Sequence, residues 1–168
     1  VPVSESTIIA TDWMNGRRTP DANQMLKGTI TGLTLGSSAP RIFRALVEAT
    51  AFGSKAIVDR FRNEGVQIDN VIGIGGIALK SSFVMQTLSD VLNMPSKVCK
   101  TDQACALGAA MFAATAAGLY TKIEDAQHAM SSGFAFEYKP NEANAAAYQD
   151  VYDKYIKLGS FTEKELFS

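Results

Sequence analysis

The spacing of apolar positions changes character along the chain. Two short runs rich in β-branched residues come first: STIIATDW, with Ile8, Ile9 and Trp13, and GTITGLTL, with Ile30, Leu33 and Leu35. Side chains of that kind favour the pleated backbone, so each run predicts a strand. Between them Asn15-Gly16 and Pro20-Asp21 are turn signals, and a short middle strand near Arg17 and Arg18 would complete a meander. From Pro40 the period lengthens. Ile42, Phe43, Leu46, Val47, Phe52, Ile57, Val58 and Phe61 recur three or four residues apart, which predicts an amphipathic helix. Arg41, Arg44, Glu48, Lys55, Asp59 and Arg62 fall on its other face. Pro40 suits a first helical residue with Ser37 or Ser38 as cap, and Gly65 a left-handed stop.

NVIGIGG reads as a short apolar strand running into glycines. In SSFVMQTLSDVLNM, Phe83, Leu88, Val91 and Leu92 return to helical spacing, with Ser81 or Ser82 as cap and Pro95 beyond the end. SKVCK is another short strand, and Thr101 or Asp102 would cap a helix from Ala104 to Ala117. That helix is nearly all Ala, Gly and Leu, and is expected to lie close against a sheet. A short helix near Glu124 to Met130 follows, then GFAFEYKP, whose alternating Phe134 and Phe136 ahead of Tyr138 are expected to pack the tail back onto the body. A final helix runs from Asn141 to about Leu158.

The predicted order is β(β)βαβαβα plus C-terminal helices. Strands in a meander followed by strands alternating with helices imply an α/β domain with a mixed sheet, antiparallel on one side and parallel on the other. This is the order of the ribonuclease H-like fold and of each half of the actin and hexokinase ATPases. No repeat or linker divides the chain, so residues 1–168 read as a single domain.

Charge and composition narrow the function. Lys and Arg total 16 against 17 acidic residues, giving a net charge of -1, so nothing in the balance favours a nucleic-acid or anionic-membrane partner. No apolar run reaches the roughly 20 residues that span a bilayer. The opening VPVSESTIIATDW lacks a basic start and an apolar core, and the want of an initiator Met hints at a fragment. Cys99 and Cys105 fit neither a metal pattern nor a disulfide framework, which points to free thiols in the cytoplasm.

The sharpest chemical feature is VIGIGGIALKSS, residues 71–82, where a strand ends, Gly73, Gly75 and Gly76 follow, and a helix begins. Glycines here either serve a tight turn or let backbone approach a flat or phosphorylated ligand beside free helical N–H groups. Gly73, Gly75 and Ala78 also spell the dinucleotide fingerprint G-x-G-x-x-A, with Asp102 as a ribose-binding acid. Three features oppose that reading: several elements precede the strand, no third parallel strand follows, and Asp102 lies too far downstream. Nor does Lys80 complete a Walker loop.

In this context GIGGIALKSSFVMQTLSDVLNMP and DQACALGAAMFAATAAGL resemble the C-terminal domain of FGGY carbohydrate kinases, with RIFRALVEATAFGSKAIVDRF similar to the helix ahead of that signature. TDWMNGRRTPDANQMLKGTITGLTL looks most like the branch acting on L-ribulose. The resemblance implies a two-domain kinase that uses ATP and Mg2+ to phosphorylate a ketopentose, here the 5-hydroxyl of L-ribulose. This chain would be the half holding adenosine. The general base and first phosphate loop would belong to an N-terminal domain preceding residue 1, and no segment here matches them. Homo-oligomerisation is left open. By position, Gly75 and Gly76 would form the wall against adenine and ribose, with Ile77 beside them. Ser81 stands where related kinases often carry Asn; it is shorter and offers a single hydroxyl, so a bridging water or a neighbour could take that contact. The alternatives are another FGGY ketopentose kinase, such as one for xylulose, or a non-catalytic actin-like nucleotide-binding module.

The rest read more simply. Asp12, Arg17 and Arg18 flank Trp13; the arginine pair could reach a phosphate or order a domain interface, but the segment is expected to be a solvated turn, with Trp13 in core or interface in preference to a sugar-stacking platform. His128, the single histidine, is expected at the surface.

Overall fold

The opening run forms a strand only where its apolar side chains find cover. In the computed structural model, which describes residue 3 and residues 7–166, strand β1 is Ile9–Ala10 and pairs antiparallel with β2, Ile30–Thr31. Ser6, the first residue of the run, lies outside the described residues. The middle strand of the expected meander is reduced to one isolated bridge between Arg17 and Asn23. The turn signals crowded into that stretch leave too few consecutive extended residues for a ladder.

Helix α1 covers Ala39–Asn63, with Ser38 as cap and Pro40 in its first turn. Gly65 takes φ +84°, the left-handed stop its position predicted. Helix α3, Ser82–Leu92, lies against α1 and ends on Asn93 in the left-handed region. Helix α6, Glu142–Phe161, packs on α3 and β1 and passes into a π-helical segment, Thr162–Leu166. Its buried rings converge on Phe52 of α1: Tyr148, Tyr152 and Tyr155 sit at centroid distances of 6.0, 5.8 and 5.4 Å. Ile8, Ile9, Ala45, Ala49 and Val91 close this main core.

Glu48 departs from the sequence reading. It is not on the solvated face of α1 but only 1% exposed. Arg44 Nε donates to its Oε1 at 2.6 Å and the Tyr148 hydroxyl donates to the same oxygen at 3.0 Å. A carboxylate is tolerated there because two donors replace the water it lost.

The mixed sheet is present, but its antiparallel member is not the opening meander. Strands β3, Val71–Gly73, and β4, Ser96–Cys99, run parallel, and β5, Phe134–Tyr138, pairs antiparallel with β4. The β1–β2 pair forms a separate sheet. In the β4–β5 ladder Val98 faces Phe136 while Cys99 faces Phe134, so Ala135 is an extra, bulged residue. The bulge puts Phe134 and Phe136 on opposite faces of the sheet, and each remains 49% exposed. They therefore do not pack the tail down as their alternation suggested.

Helix α4, Ala104–Ala116, and helix α5, Ile123–Met130, contact each other. The expected close approach of α4 to the sheet is not made. A cavity of about 490 Å³ separates it from the sheet face carrying Ile72, Ile74 and Phe134. Met111 is the one buried residue of α4 among those described. No described helix is long and apolar enough to cross a membrane.

Candidate functional site: the glycine turn after strand β3

The turn alternates between anchored and open positions. Gly73 ends β3 where an added Cβ would lie 2.8 Å from Met85 Cε and 3.2 Å from Ala78 Cβ. This glycine serves packing. Gly75 has φ +87°, which an L side chain adopts only under strain. Gly76 opens the five-residue helix α2, Gly76–Lys80, which has no side-chain cap. An added Cβ at Gly75 or Gly76 would meet no heavy atom within 4 Å. Ile77 beside them is 71% exposed, whereas Ala78 is buried with Met85 and Val98. One side of the turn is thus fixed to the core and the other is bare backbone next to an isoleucine. Such a surface can take a flat ring in van der Waals contact without a side chain intervening.

The sequence expected one helix beginning at the serines; there are two, separated at Ser81. Ser81 is the cap of α3, its Oγ accepting from Val84 N at 3.3 Å. A lone pair of that hydroxyl is therefore spent on the helix, and its hydrogen remains free to donate. Gly75, Gly76, Ile77 and Ser81 fall on one continuous stretch of backbone, so the turn gathers them as the sequence placed them.

The segment around Trp13 is more ordered than a solvated turn. Trp13 is 6% exposed and lies against Gly159, where a Cβ would stand 2.9 Å from the ring. The Arg17 guanidinium lies 5.2 Å above the Trp13 ring and donates to both carboxylate oxygens of Glu163 at 2.8 Å. The Arg17–Glu163 pair holds Glu163 below the usual carboxylate range. Arg18 stays exposed, as read from the turn. Asp12 is open to solvent on one side; on the other, desolvation outweighs a backbone hydrogen bond and the Tyr155 hydroxyl, raising its carboxyl above the ordinary value. Glu163 and Tyr155 were missed in the sequence, because nothing local to either indicates a partner some 140 residues away. His128 is exposed, at the rim of the cavity beside α4. Among the described residues no cluster of three or more His, Cys, Asp or Glu side chains is arranged to hold a metal ion.

The chain matches known proteins in both sequence and fold. It belongs to the FGGY family of carbohydrate kinases, residues 2–117 matching that family's C-terminal domain. A ribulokinase of Vibrio parahaemolyticus is 49% identical over 162 residues, covering 96% of this chain and 29% of that protein. A ribulokinase of Bacillus licheniformis is 40% identical over 167 residues, covering 97% and 30%. The crystal structure of a ligand-bound xylulose kinase from Lactobacillus acidophilus superposes with a TM-score of 0.84 over 98% of this chain and 33% of its own, at 24% identity, and shares the fold. The chain spans about 30% of the length of the curated relatives it matches.

Proposed function

We propose that these residues are the nucleotide-holding part of an ATP-dependent kinase that phosphorylates L-ribulose at its 5-hydroxyl. The observation that carries the reading is the open backbone face at Gly75 and Gly76, held in place by Gly73, Ala78 and Met85 behind it. Adenine and ribose would lie against that face, with Ile77 covering an edge. Ser81, its lone pair committed to Val84, would offer a hydrogen to a ring nitrogen directly or through water. The choice of L-ribulose among sugars is supported by the likeness to ribulokinases over nearly the whole chain.

ATP supplies the phosphoryl group when bound, and Mg2+ offsets the charge of its phosphates. The residues here bind and orient the adenosine end, so that the phosphates project toward the rest of the kinase. In this reading residues 1–168 act as one domain, and the base and first phosphate loop belong to a preceding domain. Two surfaces suit its packing. Helix α4 is apolar on every side yet only Met111 of it is buried, whereas helices of that composition are normally buried throughout. Strand β3 is an edge of its sheet and carries none of the charged or proline residues that protect free edges. A cytoplasmic location fits ATP as the donor.

The test is a substrate panel on the full-length polypeptide with ATP and Mg2+: L-ribulose, D-xylulose and glycerol, scored by sugar phosphate formed. The highest kcat/KM is expected for L-ribulose. A preference for D-xylulose would reassign the sugar, and no turnover with any of them would remove the kinase reading.

A further inference from the structure

Away from the glycine turn, the segment that follows β1, the middle of α1 and Tyr155 of α6 line a second cavity of about 190 Å³. Its polar wall includes Asp12, Arg18, Thr50, Ser54 and Tyr155, and Ile57 contributes to its apolar side. The two arginines of the segment divide their duties. Arg17 is saturated by Glu163, the Asp21 carbonyl and the Trp13 ring. Arg18 has no carboxylate partner among the described residues and is the free cation of the cavity.

The remaining groups present acceptors. Thr50 Oγ1 donates to Leu46 O and Ser54 Oγ donates to Thr50 O, each at 3.1 Å, so both hydroxyl oxygens keep lone pairs for an incoming donor. Asp12 Oδ1 receives the Tyr155 hydroxyl at 3.4 Å. Its Oδ2 sits over Gly53, where an added Cβ would come within 3.2 Å. Asp12 is thus a partly desolvated carboxylate held by a backbone hydrogen bond and the long one from Tyr155, and its pKa is raised because burial outweighs that help. Its solvent-facing side leaves room for hydroxyl donors from a ligand.

We propose that this cavity is a second binding site, separate from the nucleotide turn, for a small polyhydroxylated anion of the sugar-phosphate class. Arg18 takes the phosphate through its planar fork. Asp12, Thr50 and Ser54 accept from sugar hydroxyls, and Ile57 lies against the carbon skeleton. The volume suits a chain of three to five carbons with one phosphate. The site does not depend on which sugar the kinase phosphorylates.

The probes are ribose 5-phosphate, ribose and inorganic phosphate, titrated calorimetrically into the full-length polypeptide and into its Arg18→Leu and Ser54→Ala variants. Arg18 is exposed and Ser54 half-buried, and circular dichroism checks that each variant is folded. The expected result has ribose 5-phosphate bound at least tenfold tighter than ribose or phosphate alone. Arg18→Leu weakens that binding at least tenfold, and Ser54→Ala weakens it several-fold while leaving phosphate binding alone. Identical ribose 5-phosphate isotherms for the parent and Arg18→Leu would overturn the proposal. So would inorganic phosphate binding as tightly as ribose 5-phosphate, since the sugar would then go unread. Turnover with L-ribulose is measured in parallel: its absence from the parent bears on the proposed kinase reaction only, and Arg18→Leu is expected to leave kcat unchanged.

Discussion

Arg17 and Glu163 stand 146 residues apart and are joined by two parallel hydrogen bonds of 2.8 Å. The contact fastens the turn after β1 to the π-helical segment at the end of α6, and the same guanidinium covers the face of buried Trp13. A planar fork can do both at once; an ammonium cannot.

Arg17→Ala is therefore expected to lower Tm by a few degrees, the scale of a loss near 1 kcal/mol in a domain of this size. Arg17→Lys should recover only part of it. Thermal unfolding of the three proteins is the check. A full recovery by lysine would show that charge alone matters and the fork does not.

Gly75 and Gly76 are adjacent but separable. Gly75→Ala forces a Cβ into φ +87° and is expected to cost about 1–2 kcal/mol of stability. Gly76→Ala meets open space and should cost little. Urea unfolding of both variants distinguishes them, and equal losses would mean that the turn is held differently from the geometry described.

Ser81 caps α3, so Ser81→Ala should destabilise by about 1 kcal/mol, whereas Ser81→Asn keeps a capping oxygen and should not. If the side chain also faces adenine, Ser81→Asn leaves ATP binding unchanged or improves it by at most about 1 kcal/mol, one net hydrogen bond. Calorimetric titration of the full-length polypeptide with ATP decides, and a large loss of affinity would place something other than adenine opposite Ser81.

Tyr148 is buried, and desolvation, with the Glu48 carboxylate as the next contribution, pushes its phenol from 10.0 up to about 12. The unfolded chain would ionise near 10.0 while the fold holds the proton to about 12. The stability this side chain contributes is thus complete below the lower value and is lost as pH rises through the window. Two units correspond to at most about 3 kcal/mol. Tyr148→Phe should cost about 1 kcal/mol at neutral pH, through the lost bond to Glu48. It should also make the alkaline decline shallower, leaving the part due to Tyr152 and Tyr155, which are raised too. Unfolding midpoints measured across the alkaline range test this, and an unchanged slope would contradict it.

What could be read from the sequence was whatever is written locally. The apolar period of α1 and α3, the stop at Gly65, the glycine turn and the serine cap all depend on residues within a few positions of one another. The failures share one cause, partners remote in sequence. Glu48 looked like a surface carboxylate because Tyr148 is 100 residues away. Arg17 looked solvated because Glu163 lies beyond the last predicted helix. Phe134 and Phe136 looked like one face because a bulge at Ala135 is a property of the β4–β5 register, not of β5 alone. Helix α4 has apolar residues on all sides, so its pattern could not say which neighbour it packs against.

The central claim, that the turn at Gly75 and Gly76 holds the adenosine of ATP, is tested most directly by Gly76→Val in the full-length polypeptide. The substitution projects two methyl groups into space where nothing lies within 4 Å of the Cβ, so the fold should tolerate it. Steady-state kinetics in ATP and in L-ribulose then give the answer. The expected result is a KM for ATP raised at least tenfold with the KM for L-ribulose nearly unchanged. An unchanged KM for ATP in a folded variant would remove this turn from the nucleotide site.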